Sequence, residues 1–250
     1  MAGDTRIAEP RAVRRGTVSE LRLLNGFEVR RDGRAVALPG SAERVVAYLA
    51  VHDGPVRRAQ VASALWLDST EEHAAASLRS ALWRLRQAAG SLVTTTVSDV
   101  ALGPDVAVDL ASSTRLANAI VGGRALGDLG VASPVAALDE ELLPGWYDDD
   151  WVVFRRERWR QLRLHALEAL AALLASEGRF GEAVDAAFAA VRVEPLRESA
   201  HRALIGVHLA EGNRSEALRE YAAFARMLRD ELDVEPSPRL TALVEPLTSG

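Results

Sequence analysis

The sequence lacks cysteine and lysine altogether, and these two absences exclude several classes of protein. Without cysteine the chain has no thiolate nucleophile, no thiolate zinc ligand and no disulfide. Without lysine it has no phosphate-loop lysine, no Schiff base and no kinase-type ATP-binding lysine. All 30 basic side chains are therefore arginines.

Catalytic motifs are missing as well. The sequence contains no Gly-x-Ser-x-Gly elbow, no Gly-x-Gly-x-x-Gly loop and no His-Glu-x-x-His pair. An enzyme is therefore the most remote of the function classes considered, and we expect no catalytic residues and no cofactor.

Long apolar runs are absent too, since no stretch of 18 apolar residues occurs. The arginine pair Arg14 and Arg15 is not followed by an apolar stretch of signal-peptide length. We therefore expect no membrane association and a cytoplasmic location. Residues 1–18 have few large apolar groups and are predicted to form a flexible tail.

The 250 residues suggest two domains, and their charge is distributed unevenly. Residues 1–110 hold 14 Arg against 13 acids, whereas residues 111–250 hold 16 Arg against 22 acids. Only the first half suits a polyanion. Because its excess is small, a DNA-binding hypothesis depends on where individual arginines lie.

The pattern of residues 19–108 predicts a winged helix. Short apolar runs at 21–24, 27–30 and 36–38, separated by Asn-Gly and Asp-Gly turns, indicate a small antiparallel sheet. Helices are predicted over 42–51, 57–66 and from a capping box at Ser69 to Ala89, with Gly90 as the stop. A Val- and Thr-rich hairpin over 92–102, interrupted at Ser98-Asp99, completes the order sheet, three helices, hairpin.

Residues 109–250 are predicted to form an all-α, tetratricopeptide-like domain. The turns Gly178–Ala183 and Gly212–Ala217 match at Gly, Glu and Ala with an offset of 34 residues, which is the tetratricopeptide period. Pro195 falls where the second helix of a repeat would end. The predicted fold class is thus an α+β winged helix-turn-helix domain followed by an all-α helical repeat domain.

The third helix carries the DNA-binding hypothesis. Leu78, Leu82, Leu85 and Ala89 form its core stripe, which fixes the opposite face. The residues predicted to contact DNA from that face and its flanks are Arg79, Ser80, Trp83, Arg84, Arg86 and Gln87. Arg84 and Gln87 suit base edges, while Arg79 and Arg86 suit phosphates. In an isolated helix such arginines would merely maintain solubility, but the position before a hairpin favours a recognition helix.

Further candidates lie around this helix. Trp83 on an exposed face could pack on DNA sugars, a second protomer or the C-terminal domain. Arg57 and Arg58 begin the second predicted helix, where backbone N–H groups and arginines can hold a phosphate together, although solubility explains them equally well. Thr95 and Thr96 on the hairpin could contact phosphates, or could reflect strand propensity.

No metal site is predicted. The acidic runs Asp139–Glu141 and Asp148–Asp150 have contiguous carboxylates that point in different directions and are typical of a solvated face. His201 and His208 are seven residues apart, which does not favour joint ligation, and His165 is more typical of a packed helix residue.

The sequence resembles the actinobacterial antibiotic regulatory protein family. The resemblance rests on Leu21–Leu24, on Trp66 before an acidic loop, and on Ala-x-x-Leu-Arg-x-x-Leu-x-Arg-Leu-Arg at positions 75–86. Residues 142–149 and 230–238 resemble the bacterial transcriptional activator domain. The likeness covers about residues 20–247, whereas Ser77 and the short acidic loop depart from many members.

This resemblance implies an OmpR-type winged helix that binds direct-repeat operators in double-stranded DNA head to tail, which allows a homodimer on DNA. It also implies recruitment of RNA polymerase through its sigma factor. The loop before the third helix matches the polymerase contact of such families, which singles out Asp68, Glu71 and Glu72. Larger relatives carry an ATPase segment that this sequence lacks, so control by expression level, a ligand or a partner is expected.

A second function class remains open at this point. The acidic C-terminal half and the modest N-terminal charge also fit a tetratricopeptide-like interaction module that regulates a partner without sequence-specific DNA binding. Binding to DNA with a steep salt dependence would separate the two, because phosphate contacts release counterions.

Overall fold

The computed structural model describes residues 19–52, 54–128 and 130–248. The tail predicted for residues 1–18 lies outside them. The strands are β1 (Ser19–Arg22), β2 (Glu28–Arg31), β3 (Arg34–Ala35), β4 (Val56–Arg57), β5 (Val93–Thr95), β6 (Asp99–Leu102) and β7 (Val106–Val108). The helices are α1 (Gly40–Ala50), α2 (Arg58–Leu65), α3 (Glu71–Ala89), α4 (Asp109–Val121), α5 (Pro134–Leu138), α6 (Asp150–Ser176), α7 (Phe180–Val193), α8 (Glu198–Glu211), α9 (Arg214–Leu232) and α10 (Pro238–Thr248).

A four-stranded sheet of order β3-β2-β1-β7 opens the described chain. Strand β1 pairs antiparallel with β2, so that buried Leu21 lies opposite buried Val29, and it pairs parallel with β7. The β2–β3 turn places Asp32 and Gly33 at φ values of 48° and 78°, as a two-residue hairpin requires. The third strand predicted over 36–38 is wrong: β3 is Arg34–Ala35, because this tight turn sets the pairing register.

Helices α1 to α3 and the second sheet, of order β4-β6-β5, form the winged helix that the sequence predicts. Its own core contains Val45, Val61, Leu65, Leu78 and Val100, all nearly inaccessible. Two details differ from the prediction. Val56–Arg57 is a strand that pairs with β6, and the hairpin turn lies before Asp99, which begins β6.

The C-terminal half is helical, as predicted, and contains two matching helix hairpins. Gly178 follows α6 and Gly212 follows α8, with φ values of 75° and 92°. A left-handed residue at the end of a helix favours glycine, which explains the 34-residue match. Helix α7 ends at Val193, shortly before Pro195. This tetratricopeptide-like arrangement confirms the predicted fold class.

One hydrophobic core runs through both halves of the molecule. Leu21 and Leu85 from the first half belong to the same buried cluster as Trp159 and Leu164 from α6. Backbone bonds reinforce the contact, since the Leu143 N–H donates to the Leu23 carbonyl at 2.8 Å. The domain boundary at residue 108 stays a prediction, because packing is continuous across it.

An interdomain seam, formed by Phe27, Arg44, Tyr48, Trp146, Asp149 and Trp151, closes this contact. Ring centroids are 5.7 Å apart for Phe27 and Trp146 and 5.2 Å for Tyr48 and Trp151. Arg44 Nη2 donates to Asp149 Oδ1 at 2.6 Å, and Trp151 Nε1 donates to the same oxygen at 3.0 Å. Aromatic contacts and a charge-assisted bond thus join α1 to the start of α6.

Three of the six acids in the two acidic runs make structural contacts, which corrects the expectation of a solvated face for them, whereas Asp148 and Asp150 are exposed as expected. Asp149 accepts from the seam, Asp139 pairs with Arg192 at 2.7 Å, and Glu141 lies 3.6 Å from Arg156. Within residues 19–52, 54–128 and 130–248 no group of three His, Asp or Glu side chains could hold a metal.

Of two histidines singled out in the sequence, His201 packs inside the helical half, whereas His165 does not, which corrects the expectation of a packed residue at position 165. His201 is buried, with Nδ1 2.6 Å from Glu220 Oε1, Nε2 2.7 Å from the Pro195 carbonyl and its ring stacked on Phe224. His165 is exposed and lies 3.4 Å from Arg197.

Candidate nucleic-acid interface

Helix α3 begins one residue later than the capping box predicts. Thr70, rather than Ser69, is the N-cap, because its hydroxyl accepts from the His73 N–H at 3.4 Å and lies 2.8 Å from His73 Nδ1. Ser69 instead donates its N–H to the Trp66 carbonyl in the preceding turn. Glu71 and Glu72 occupy the first turn, where the helix dipole favours negative charge.

The core stripe of α3 is buried, as its leucine spacing predicts. Leu78, Leu82, Leu85 and Ala89 are each no more than 8% exposed, and Ala74 and Ala81 complete the packed side. Burial of this stripe against α1 and α2 determines which side chains face outward.

The outward side chains form what we call the recognition face: Arg79, Ser80, Trp83, Arg84, Arg86 and Gln87, all exposed. Arg79, Ser80, Trp83 and Arg84 line one shallow surface depression. Arg84 Nε makes a long 3.4 Å contact to the Ser80 carbonyl, whereas Arg79 and Arg86 make no side-chain hydrogen bond or ion pair with the described residues. From His73 to Ala89 the helix carries no acidic residue, so this face is positively charged.

Trp83 is 65% exposed and belongs to none of the buried clusters of the described chain. The interpretation in which it packs against the C-terminal domain is therefore not supported by the structure. A large exposed aromatic on a cationic face is typical of a contact surface.

At the end of α3, Arg31, which no sequence pattern singles out, binds the helix. Arg31 Nη1 donates to the Ala89 carbonyl at 3.4 Å, and the same atom lies 3.0 Å from the position of a Cβ on Gly90. A cation near the last carbonyls offsets the negative end of the helix dipole. No local pattern could reveal this contact, because the two residues are 58 positions apart.

The predicted phosphate-binding start of α2 is only partly present. Arg57 is exposed but lies in β4, and the Arg58 N–H is already donated to the Ser98 carbonyl at 2.8 Å. The Arg58 side chain reaches the Thr96 carbonyl at 3.3 Å. Arg58 therefore stabilises the hairpin through these two contacts, while the exposed Arg57 side chain can still bind an anion.

The wing, residues 93–102, projects beside α2. Thr95 is exposed on β5, whereas the Thr96 hydroxyl accepts from the Asp99 N–H at 2.9 Å and so stabilises the turn. Val97 at the tip is 99% exposed. Val97 is not among the residues predicted from the sequence to contact DNA. A single valine within an otherwise polar turn is the sequence signal that could have identified it as an exposed contact residue.

The three acids matched to a polymerase contact lie together at the α2–α3 connection. Asp68, Glu71 and Glu72 are exposed, and none pairs with an arginine in the described part of the chain. Leu67 beside them is 68% exposed. The loop thus presents an acidic surface with one apolar residue.

Comparison with known proteins identifies the family to which this geometry belongs. Residues 115–247 match the family model described as bacterial transcriptional activator domain. The chain belongs to this family.

Two regulatory relatives extend the match into the winged helix. The regulatory protein AfsR of Streptomyces coelicolor is 32% identical over 223 residues, which are 85% of this chain and 22% of that protein. The AfsR of Streptomyces griseus is 30% identical over 197 residues, or 74% of this chain and 20% of that protein. The chain thus spans about a fifth of the length of these relatives, and the resemblance to the actinobacterial antibiotic regulatory proteins is confirmed.

A solved structure, Mycobacterium tuberculosis EmbR in complex with a low affinity phosphopeptide, shares the fold. It superposes on 92% of this chain and 65% of that chain with a TM-score of 0.69, at 23% identity. The family-model match and the two regulatory relatives make the chain a member of a family of transcription regulators. Across the described residues, no helix has the length and apolar character needed to cross a bilayer.

Proposed function

We propose that this chain is a transcription activator that binds double-stranded DNA through α3 and the wing, and that it recruits RNA polymerase. One observation carries the proposal. The arginines of the recognition face are exposed, lack acidic partners among the described residues and lie opposite the buried leucine stripe of a helix that precedes a hairpin.

The recognition face has the groups that a major groove requires. Arg84 and Gln87 lie one helical turn apart, and their forked side chains suit guanine and adenine edges. Arg79 and Arg86 on the flanks suit phosphates, while Ser80 donates a hydroxyl and Trp83 offers an apolar surface to sugars. Free guanidinium groups lose no internal ion pair when they bind DNA.

The wing and the start of α2 supply contacts on the neighbouring backbone. Arg57 and Thr95 are exposed toward solvent, and Arg58 and Thr96 hold each other through the 3.3 Å contact. In winged helices the hairpin reaches the groove beside the recognition helix. We assign Arg57 and Thr95 to phosphates, and Arg58 and Thr96 to the position of the hairpin.

Polymerase recruitment is assigned to the acidic loop. Asp68, Glu71 and Glu72 face away from the packed side of α3, and charged surfaces of this kind steer association with a basic partner. We further propose head-to-tail binding of two copies to direct repeats, a contact with the sigma factor, and a cytoplasmic location. DNA binding belongs to residues 19–108 and activation to residues 109–250.

The proposal is tested on genomic fragments enriched by the purified chain, followed by footprinting and mobility shifts. Arg84→Ala is expected to weaken binding by about tenfold or more and to relax the preference at one base position. Arg226→Ala is the matched control, because Arg226 is an exposed arginine of α9 without an ion pair to any described residue. Circular dichroism verifies that each variant is folded.

Unchanged binding by an Arg79→Ala and Arg84→Ala double variant would refute the recognition face. No binding at any salt concentration would instead favour the alternative function, an interaction module that does not bind specific DNA sequences. The acidic charge of the helical half is consistent with that alternative. In that event the helical repeats, rather than α3, would be the surface to map.

A further inference from the structure

A cleft of about 380 Å³ opens where both halves of the molecule meet. Its walls come from the end of α1, from α4 and from α6. Three arginines line it, Arg115 from α4 and Arg155 and Arg158 from α6, and we call it the arginine cleft.

These three arginines differ from their neighbours in having no partner among the residues that the structure describes. On α6, Arg156 bonds to the Leu142 and Leu143 carbonyls, Arg160 to Glu157 and Arg163 to the Asp139 carbonyl. By contrast, Arg115, Arg155 and Arg158 make no hydrogen bond or ion pair with any described residue. Glu157, adjacent to Arg158, uses both its carboxylate oxygens on Arg160.

The rest of the lining indicates what would neutralise them. No acidic side chain of the described residues lines the cleft, although residues 111–250 carry six more acids than arginines. Three like charges gathered without a counter-charge repel one another, and a bound anion removes that repulsion. Thr114 and Asn118 add a hydroxyl and an amide within the same lining.

The floor of the cleft is apolar. Leu110 and Leu162 are half-buried and face the cleft, and buried Val51, Leu142 and Trp159 lie behind them. Trp159 is fixed by a 2.9 Å bond from Nε1 to the Glu140 carbonyl. The volume lies within the range of about 300–1,000 Å³ that is usual for small-molecule sites. The cleft thus combines a cationic rim with an apolar, preformed base.

We infer that the arginine cleft binds a small organic phosphate, with the phosphate on Arg115, Arg155 and Arg158 and an apolar or aromatic group against Leu110 and Leu162. Such a ligand contacts α1 of the first half and α4 and α6 of the second. It therefore stabilises the docked arrangement of the two halves. This site is separate from the recognition face and does not depend on DNA binding.

Titration calorimetry of the full chain with phenyl phosphate tests the inference, with inorganic phosphate and benzyl alcohol as partial probes. We expect one phenyl phosphate per chain, bound at least tenfold more tightly than inorganic phosphate, a higher Tm in its presence, and no binding of benzyl alcohol. Arg155→Ala and Arg158→Ala are each expected to weaken binding about tenfold, since each removes a charge-assisted hydrogen bond. Arg226→Ala is the control and should bind as the parent chain does.

Several results would overturn the inference. One is that phenyl phosphate does not bind at millimolar concentration. Another is that inorganic phosphate binds with equal affinity, because the apolar part of the cleft would then contribute nothing to binding. Binding that survives the Arg115→Ala, Arg155→Ala and Arg158→Ala triple variant would place the ligand elsewhere. A loss of duplex DNA binding by that triple variant, equal to the loss in Arg84→Ala, would make the cleft part of the DNA surface.

Discussion

Arg44 and Asp149 are 105 positions apart, yet Arg44 Nη2 donates to Asp149 Oδ1 at 2.6 Å. The pair joins α1 of the winged helix to the residue that precedes α6. The Asp149 side chain is only 12% exposed and the Arg44 side chain 36%, so the carboxylate end of this bond lies largely out of water. It sits beside the edge-on pair of Tyr48 and Trp151, which places a charged contact and an apolar contact at the same junction.

Substitution of Arg44 or Asp149 should lower the free energy of unfolding by a measurable amount, because the pair joins the two halves. Arg44→Ala is expected to lower the free energy of unfolding by about 1 kcal/mol and Asp149→Ala by about 2 kcal/mol, because Asp149 also accepts from Trp151. The double variant should cost less than the sum, with a coupling of about 1 kcal/mol. Urea unfolding of the four chains measures the cycle, and strictly additive effects would show that the pair does not couple them.

The arginines of the recognition face should fall into two classes, those that contact phosphates and those that contact bases, which differ in the salt dependence and sequence preference of DNA binding. For a phosphate contact, the slope of log affinity against log salt changes by about 0.9. Arg79→Ala should therefore reduce the magnitude of the slope by about one and weaken all sequences alike, whereas Arg84→Ala should chiefly relax base preference. Mobility shifts at several salt concentrations on enriched and scrambled duplexes separate the two. Identical behaviour of both variants would contradict the assignment of Arg84 to a base.

The sequence predicts the long elements of this fold well, for a physical reason. Helix α3 has a full stripe of leucines at helical spacing, and the turns at Gly178 and Gly212 need a residue that tolerates positive φ. Both signals are local. The recognition face follows from the stripe, because the buried side of a helix determines the exposed side.

The features that the sequence does not predict depend on distant parts of the chain. Strand β4 has two residues and β7 has three, and pairing with β6 and β1 rather than propensity makes them strands. Ser69 and Thr70 are both favourable caps, and residue type alone would prefer Ser69, so the path of the preceding turn selects Thr70. Arg44 and Asp149 cannot be paired from sequence, so the acidic run by itself favours a solvated face.

Two glycines of one helix hairpin should respond oppositely to alanine. Gly206 lies inside α8, where an added Cβ would meet no neighbouring element within 4 Å, so Gly206→Ala should stabilise the chain by about 0.5–1 kcal/mol. Gly212 ends the same helix at a φ of 92°, and Gly212→Ala should destabilise it by about 1 kcal/mol. Thermal or urea unfolding measures both. A stabilising Gly212→Ala would show that the left-handed end is not required.

Asp109 gives a prediction with a pH dependence, because its carboxylate holds the residues that follow β1 to the start of α4. Oδ1 accepts from the Leu23 N–H at 2.9 Å, Oδ2 from the Leu24 N–H at 3.0 Å, and Oδ1 also from the Leu110 N–H. Asp109→Ala leaves these donors unpaired and should cost about 2–3 kcal/mol. Asp109→Asn retains one acceptor oxygen and should cost less.

Burial raises the pKa of Asp109 above 3.8, and the bonds from Leu23, Leu24 and Leu110 oppose this only in part. The folded chain therefore binds the proton more readily than the unfolded chain, so the contribution of Asp109 to stability is greatest below 3.8 and declines as the pH rises through its folded pKa. The parent chain should gain stability relative to Asp109→Asn as the pH falls from about 7 to about 4. Urea unfolding of both chains at each pH measures the difference, in which the titration of all other groups cancels. A difference that moves in favour of Asp109→Asn on acidification would mean that the three N–H donors outweigh burial at this carboxylate.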